Sequence, residues 1–324
     1  MADLRTGSAI YRMSMPLGQI YKESEKILIQ ASTIIEDWHV RTADIIVGQR
    51  VCTDEDTKKW HTWKKDTKAK LVMELDDDLF NIDVSNINHK YYNQPNIPDN
   101  AKRNAEISDL ITVTTEPLAD LMRQYNDNVI VLPNYIDEKV LHYTSRPPDP
   151  DKIIVGWAGS ITHEIDFAVV SGHLKNVLEK QKQVWFHMYG SLFNCGVTER
   201  MYFTGWSDDI DTYYKSLRLH IGLAPIRRCK FNESKSHIKM LEYAALGIPA
   251  IASNETPYKD FVKHGLTGYL AYNPADWKHL LLSLIKNPEL REHMGYQARE
   301  YARQWTIQEH YKKWEDTYIK LVES

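Results

Sequence analysis

The sequence predicts an α/β protein of two parallel-sheet domains, and three observations carry that prediction. At 324 residues the chain exceeds the roughly 250–300 residues at which a single core stops growing. The segment Ser145–Lys152 (SRPPDPDK) sets three prolines among alternating charges, which excludes both helix and central strand and reads as an interdomain linker. On both sides of it, short β-rich runs alternate with helical patterns, the order that builds a parallel sheet covered by helices on both faces.

After the linker the predicted strands are Ile153–Trp157, Val184–Tyr189, Met201–Thr204, Leu219–Ala224, Ile248–Ala252 and Gly268–Ala271. Helices are predicted around Asp166–Lys180, Asp208–Ser216, Ser236–Leu246 and Pro257–Lys263. Before the linker the pattern is rougher. Apolar runs fall at Thr33–Ile35, Ile45–Val47, Leu71–Leu75, Leu110–Val113 and Val129–Leu132, with helices near Leu17–Gln30, Asp54–Lys68 and Pro117–Tyr125. The chain closes with helical stretches over Pro288–Gln304 and Thr306–Leu321. The aromatic side chains Trp305, Tyr311, Trp314 and Tyr318 read as a face docked on another domain. The expected division is 1–148, 149–305 and a last helix 306–324 packing back on the first domain.

Composition excludes some classes and leaves others open. With 43% hydrophobic and 26% charged residues the chain is globular. A net charge of −4 gives no global attraction to phosphate polymers or anionic membranes, so such a partner needs a local patch. Runs such as Asn128–Pro133 and His279–Ile285 fall well short of a membrane span. The start, MADLRTGSAIY, has no signal-peptide pattern, and a cytoplasmic location is expected. Cys52, Cys195 and Cys229 lack metal-ligand spacing and fit reduced thiols.

Four segments carry chemistry. The run Ile153-Ile-Val-Gly-Trp-Ala-Gly-Ser160 leads an apolar strand into Gly156, Gly159 and Ser160 and then a helix. Its backbone N–H groups can meet an anion without side-chain interference, although glycines there also serve a plain tight turn. In the helix beginning near Ser234, Lys235, Lys239 and Glu242 stand three and four residues apart and share a face. Two cations suit a diphosphate and a carboxylate suits two ribose hydroxyls; a solvated Lys/Glu face is the competing reading. At the end of an N-terminal strand, Asp76, Asp77 and Asp78 could position an acceptor hydroxyl, cap a helix or bind a metal. The stretch Asp54–Lys70 interleaves Trp60 and Trp63 with lysines at 58, 59, 64, 65, 68 and 70. Nucleic-acid surfaces favour that pattern, and so does an ordinary amphipathic crossover helix.

Taken together, GWAGS (156–160), Phe186-His-Met-Tyr-Gly190, Phe203-Thr-Gly-Trp206, His220-Ile-Gly-Leu-Ala-Pro225, LEYAALGIPAIAS (241–253) and Phe261-Val-Lys-His-Gly-Leu-Thr-Gly268 resemble the successive strand ends of the sugar-donor domain in the family 4 retaining glycosyltransferases. Ser108–Pro117 and Val129–Asp137 resemble the last strands of that family's acceptor domain. The resemblance covers about residues 105–305 well and 8–100 loosely. It implies the GT-B fold, in which two Rossmann-like domains face each other across a cleft and a C-terminal helix crosses back.

The resemblance also implies an activity: transfer of a sugar from a nucleoside diphosphate to a hydroxyl acceptor, with retention and without a metal or other cofactor. The nucleotide sugar, such as a UDP- or GDP-hexose, is the co-substrate. Glu242 matches the second glutamate of the family's two-glutamate signature and is implied to contact the ribose. The family's spacing puts Ser234 where the first glutamate belongs, with Glu233 one residue early. The family's basic pair after the first strand of this domain is absent, which leaves Lys235, with Arg227 or Lys239, to neutralise the diphosphate. The expected sugar-donor site comprises Gly159, Ser160, His163, Tyr189, Gly190, Trp206, Arg227, Lys235, Ser236, Lys239 and Glu242. Lys235, Glu233 and Asp77 are the catalytic candidates, and Arg12, Asp76 and Asp78 lie on the acceptor side. Acceptors from a modified DNA base to a protein, a lipid or a metabolite stay open, as does a non-catalytic sugar-nucleotide or nucleic-acid binding protein on the same scaffold.

Overall fold

In a computed structural model of the chain, which describes residues 6–31, 35–197 and 199–324, two separate parallel sheets form. The first contains β1 (Ile45–Gln49), β2 (Lys70–Leu75), β3 (Leu110–Val113) and β4 (Val129–Val131) in sequential order. The second contains β5 (Ile153–Gly159), β6 (Val184–Gly190), β7 (Met201–Gly205), β8 (Ile221–Ala224), β9 (Ala250–Ser253) and β10 (Tyr269–Ala271). Its order is β10-β9-β8-β5-β6-β7. The chain therefore reverses direction across the sheet at β5, and such a switch point leaves a crevice at the strands' carboxyl ends.

Burial on both faces explains why these strands read as continuous apolar runs. One face of the second sheet packs Trp157, Phe167, Phe186 and Met188 with Trp277 and Leu281, from the helices Glu164–Lys180 and Pro274–Lys286. The other packs Leu241, Ala245 and Ala298, from the helices Ile238–Ala245 and Pro288–Ala302. The first sheet is closed on one side by Trp60, Trp63, Ala101 and Ala105. Its other side takes Trp314, Tyr318 and Leu321, which pack with Ile20, Val72, Leu110 and Leu132, so the final helix Lys312–Glu323 lies on the N-terminal half. The chain crosses where Ile136 N donates to Trp305 O at 3.1 Å and Ile307 N to Ile136 O at 2.8 Å.

The N-terminal half differs most from expectation. The helix expected near Leu17–Gln30 starts earlier and ends sooner, and residues 7–23 are helical throughout: Gly7–Ala9, a π-helical turn Ile10–Ser14, then Met15–Glu23. Of the strand expected at Thr33–Ile35, Thr33 and Ile34 lie outside the described residues, and Ile35 is in no strand. The helix Asn96–Ile107 was hidden by Pro95, Pro98 and Asn-rich composition; the prolines stand at its start, where their missing N–H costs nothing.

The basic-aromatic stretch is the crossover helix Asp54–Asp66 between β1 and β2. Trp60 is fully buried and its Nε1 donates to Ser108 Oγ at 3.1 Å; Trp63 is buried beside it. Lys59 and Lys64 pair with Glu55 and Asp109 at 2.6 and 2.8 Å. Neither indole is presented for stacking on a nucleic-acid base. Among the described residues no helix is long and apolar enough to cross a membrane.

Candidate active site in the interdomain cleft

A cleft of about 760 Å³ opens between the two sheets. On its C-terminal wall are Gly159, Ser160, His163, Gly190, Trp206, Lys235, Ser236, Lys239 and Glu242; facing them are Ser8, Tyr11, Arg50, Asp76 and Asp77. Most of the residues expected from sequence meet here.

Gly159 ends β5 at the switch point. A Cβ on it would stand 2.6 Å from the Trp157 ring and 3.3 Å from Lys239 Nζ, so only glycine lets the lysine reach this strand end. Lys239 donates through Nζ to Ala158 O and lies 5.4 Å from the Trp157 ring centroid. Burial lowers its pKa, against the opposing field of Glu242. Lys235 stands one turn earlier, before the helix Ile238–Ala245, and its segment docks on the N-terminal half. Thr115 Oγ1 donates to Ser234 O at 2.8 Å and Asn134 Nδ2 to Ser236 Oγ at 2.9 Å. Lys235 Nζ itself reaches Asp77 Oδ1 at 3.1 Å.

His163 faces the cleft as a positioned imidazole. Its Nδ1 lies 3.0 Å from Asp166 Oδ2, and Asp166 accepts in addition from Arg227 N at 3.0 Å and Asn232 Nδ2 at 2.9 Å. Burial lowers the histidine pKa more than Asp166 raises it, with Lys235 and Lys239 adding to the depression.

Glu242 is buried, with its pKa raised by desolvation against the fields and hydrogen bonds that surround it. Both its oxygens have partners: Tyr11 OH donates to Oε1, and Tyr213 OH to Oε2 at 2.9 Å. Tyr11 OH also lies 2.6 Å from Tyr214 OH.

The facing wall is organised by Arg50, a non-glycine residue at φ 51°, a strained geometry of the kind that gathers at functional sites. Its guanidinium donates to Asp76 at 2.7 and 2.9 Å and to Asp77 at 3.2 Å. Ser8 Oγ donates to Asp76 and accepts from Gln49 Nε2 at 3.0 Å. Burial works against ionisation of Asp77, but Lys235 and Arg50 outweigh it and hold its pKa below the ordinary carboxylate value.

Five residues expected at the site are placed elsewhere. Arg12 is buried in an ion pair with Glu74 at 2.6 Å. Asp78 turns away from Asp76 and closes its own turn, accepting from Phe80 N, Asn81 N and Asn81 Nδ2 at 2.9, 3.1 and 2.7 Å; the two aspartates therefore do not converge on a common cation. Glu233 is exposed and pairs with Lys230 at 3.5 Å. Tyr189 is buried against His187, with its OH accepting from Arg218 N at 3.2 Å. Arg227 reaches Ser85 Oγ at 3.0 Å and Asp83 at 3.3 Å, a further link between the halves. Sequence reasoning missed Tyr11, Tyr213, Arg50 and Ser8; the one local signal was the polar Gln49-Arg50 pair closing an apolar strand.

Known proteins share this architecture. Residues 144–301 match the family model described as glycosyl transferases group 1. Over that stretch the chain is similar to the glycosyl transferases group 1 family. Among solved structures it is similar to sucrose-phosphate synthase from Thermosynechococcus elongatus (TM-score 0.67, 13% identity, 88% of this chain and 75% of that one). It is also similar to HepE from Anabaena in complex with UDP-glucose (TM-score 0.64, 15% identity, 85% and 79%). A third is TarM of S. aureus in complex with UDP and two further ligands (TM-score 0.59, 17% identity, 89% of this chain). The chain spans 57% of the length of TarM. The fold is GT-B, with two Rossmann-like sheets facing each other across the cleft.

Proposed function

We propose that the chain is a cytoplasmic retaining glycosyltransferase that moves a hexose or related sugar from UDP or GDP to a hydroxyl acceptor, without metal or resident cofactor. The observation that carries this reading is the meeting of Lys235 and Lys239 with the Gly159 and Gly190 strand ends at the switch point, opposite the Asp76–Asp77 edge of the other sheet. As the bond from the anomeric carbon to the diphosphate breaks, its electron pair leaves on the diphosphate oxygen. Lys235, Lys239 and the backbone N–H groups near Ser160 are the preorganised groups that take up that charge. Glu242 is assigned to the ribose hydroxyls. The acceptor hydroxyl enters from the Asp77 side, bonds the anomeric carbon and passes its proton to the departing diphosphate oxygen. His163, oriented by its hydrogen bond with Asp166, is left to donate or accept one hydrogen bond at the transferred sugar.

A non-catalytic sugar-nucleotide binder is the second reading, favoured by Ser234 at the first-glutamate position and by the tyrosines on Glu242. Incubation with UDP- and GDP-sugars separates the two. Release of nucleoside diphosphate that persists in EDTA supports transfer. In Glu242→Ala, affinity falls about tenfold or more, the loss expected for charge-assisted hydrogen bonds to a buried carboxylate. Binding without turnover on any sugar and acceptor tried supports the second reading, and turnover restored only by Mn²⁺ overturns the metal-free assignment.

A further inference from the structure

Two side chains from the N-terminal half cross the cleft and end on the groups assigned to the sugar nucleotide. Asp77 places a carboxylate oxygen 3.1 Å from Lys235 Nζ, and Tyr11 places a hydroxyl on Glu242. These contacts copy the chemistry of a nucleoside diphosphate: an anionic oxygen on the ammonium group, as a phosphate oxygen would be, and a hydroxyl on the carboxylate, as a ribose hydroxyl would be. Each also has a second partner waiting. Asp77 keeps Arg50 at 3.2 Å when Lys235 is taken away, and Tyr11 OH keeps Tyr214 OH at 2.6 Å when Glu242 is taken away. Neither group is left buried and unpaired by the exchange, the condition that otherwise makes breaking such contacts costly.

We propose that Asp77 and Tyr11 are intramolecular stand-ins for the sugar nucleotide, so that its diphosphate and ribose enter by exchanging with them. This rests on the donor-site reading above. The exchange makes binding ordered: until a diphosphate takes Lys235, Asp77 is engaged, and afterwards it is the carboxylate of the facing wall left to receive the acceptor hydroxyl. Asp77 and Tyr11 thus oppose nucleotide binding, and their release readies the facing wall for the acceptor.

Calorimetric titration of the full chain with inorganic pyrophosphate, uridine, guanosine, UDP and GDP tests the exchange. Asp77→Asn is expected to bind pyrophosphate and the preferred diphosphate about three- to fivefold more tightly than wild type, the size of a partly exposed ion pair, with nucleoside affinity unchanged. Tyr11→Phe, which keeps the ring, is expected to tighten nucleoside and nucleoside diphosphate and leave pyrophosphate unchanged. If wild type binds UDP or GDP and either variant leaves its own probe unchanged or weaker, the exchange is overturned and the donor-site reading stands. If neither wild type nor variant binds any of these probes, the donor-site reading falls and the inference with it.

Discussion

Gly190 lies so close to Gly159 that a Cβ on it would stand 2.3 Å from the Gly159 carbonyl oxygen, and its φ is +88°. The two residues are register partners at the ends of β5 and β6, where the cleft begins. Ser191 N donates to the same Gly159 oxygen at 3.0 Å, so the tight approach also fixes the turn that leaves β6.

Gly190→Ala is therefore expected to cost about 1–3 kcal/mol of stability through overpacking and backbone strain, and to weaken nucleotide binding. Gly205 ends β7 beside it, with nothing within 4 Å of a Cβ there, and Gly205→Ala should fall within about 0.5 kcal/mol of wild type. Urea unfolding of the two variants checks the contrast. Equal midpoints would mean that the close backbone approach is not what Gly190 provides.

Three histidines set the expected response to acid. Burial lowers the pKa of His187, His220 and His237 from 6.5 to about 4 in each case. His220 Nδ1 accepts from Ile154 N at 3.0 Å, and His237 stacks on Phe261 at 4.4 Å. Because the native pKa lies below the unfolded one, the unfolded chain takes up protons first. The stabilisation is whole above pH 6.5 and is lost as pH falls toward 4. Glu74 and Glu242, whose pKa burial raises, work in the opposite direction, so the decisive comparison is between variants. Melting temperature should fall between pH 7 and pH 5, and less steeply in His237→Phe, which keeps the ring stack. A wild-type slope in that variant removes His237 from the response.

The site was legible in sequence where it depends on one chain segment and illegible where it depends on two facing each other. Gly159, Gly190, Lys239 and Glu242 belong to strand ends and a helix face whose periodicity places them without tertiary knowledge, whereas Lys235, expected on that helix, lies in the turn before it. Tyr11 and Arg50 act only through partners 231 and 26 residues away, and no local pattern encodes that meeting. The Tyr11–Arg12 pair shows the difficulty. The charge drew the expectation to Arg12, yet successive helical residues point roughly 100° apart, and Tyr11 is the one that enters the cleft. The helical start 7–16, ahead of the helix expected near Leu17–Gln30, was missed for a related reason, since Gly7, Pro16 and Gly18 depress a propensity that packing on Val72 and Trp314 restores.

Arg12 separates a structural role from a substrate contact. Its Nε donates to Glu74 Oε1 at 2.6 Å, with the two side chains 0% and 2% exposed. Its Nη1 donates to Leu132 O and to Asn134 Oδ1 at 3.1 Å, and Gln49 holds the other Glu74 oxygen at 2.9 Å. The guanidinium stands 5.8 Å from the Trp314 ring centroid, so the first helix, the sheet and the last helix meet on this one side chain. Taking it away leaves a carboxylate in the interior without its cation, which costs about 3–5 kcal/mol. Arg12→Met is expected to lower the urea midpoint accordingly. The double variant Arg12→Met, Glu74→Leu should recover most of that loss, because removing both charges removes the desolvation cost as well. A residue that instead bound acceptor or phosphate would raise KM at unchanged stability, and its loss would not be repaired by changing Glu74. Arg12→Met with a wild-type midpoint would therefore return Arg12 to the substrate contacts.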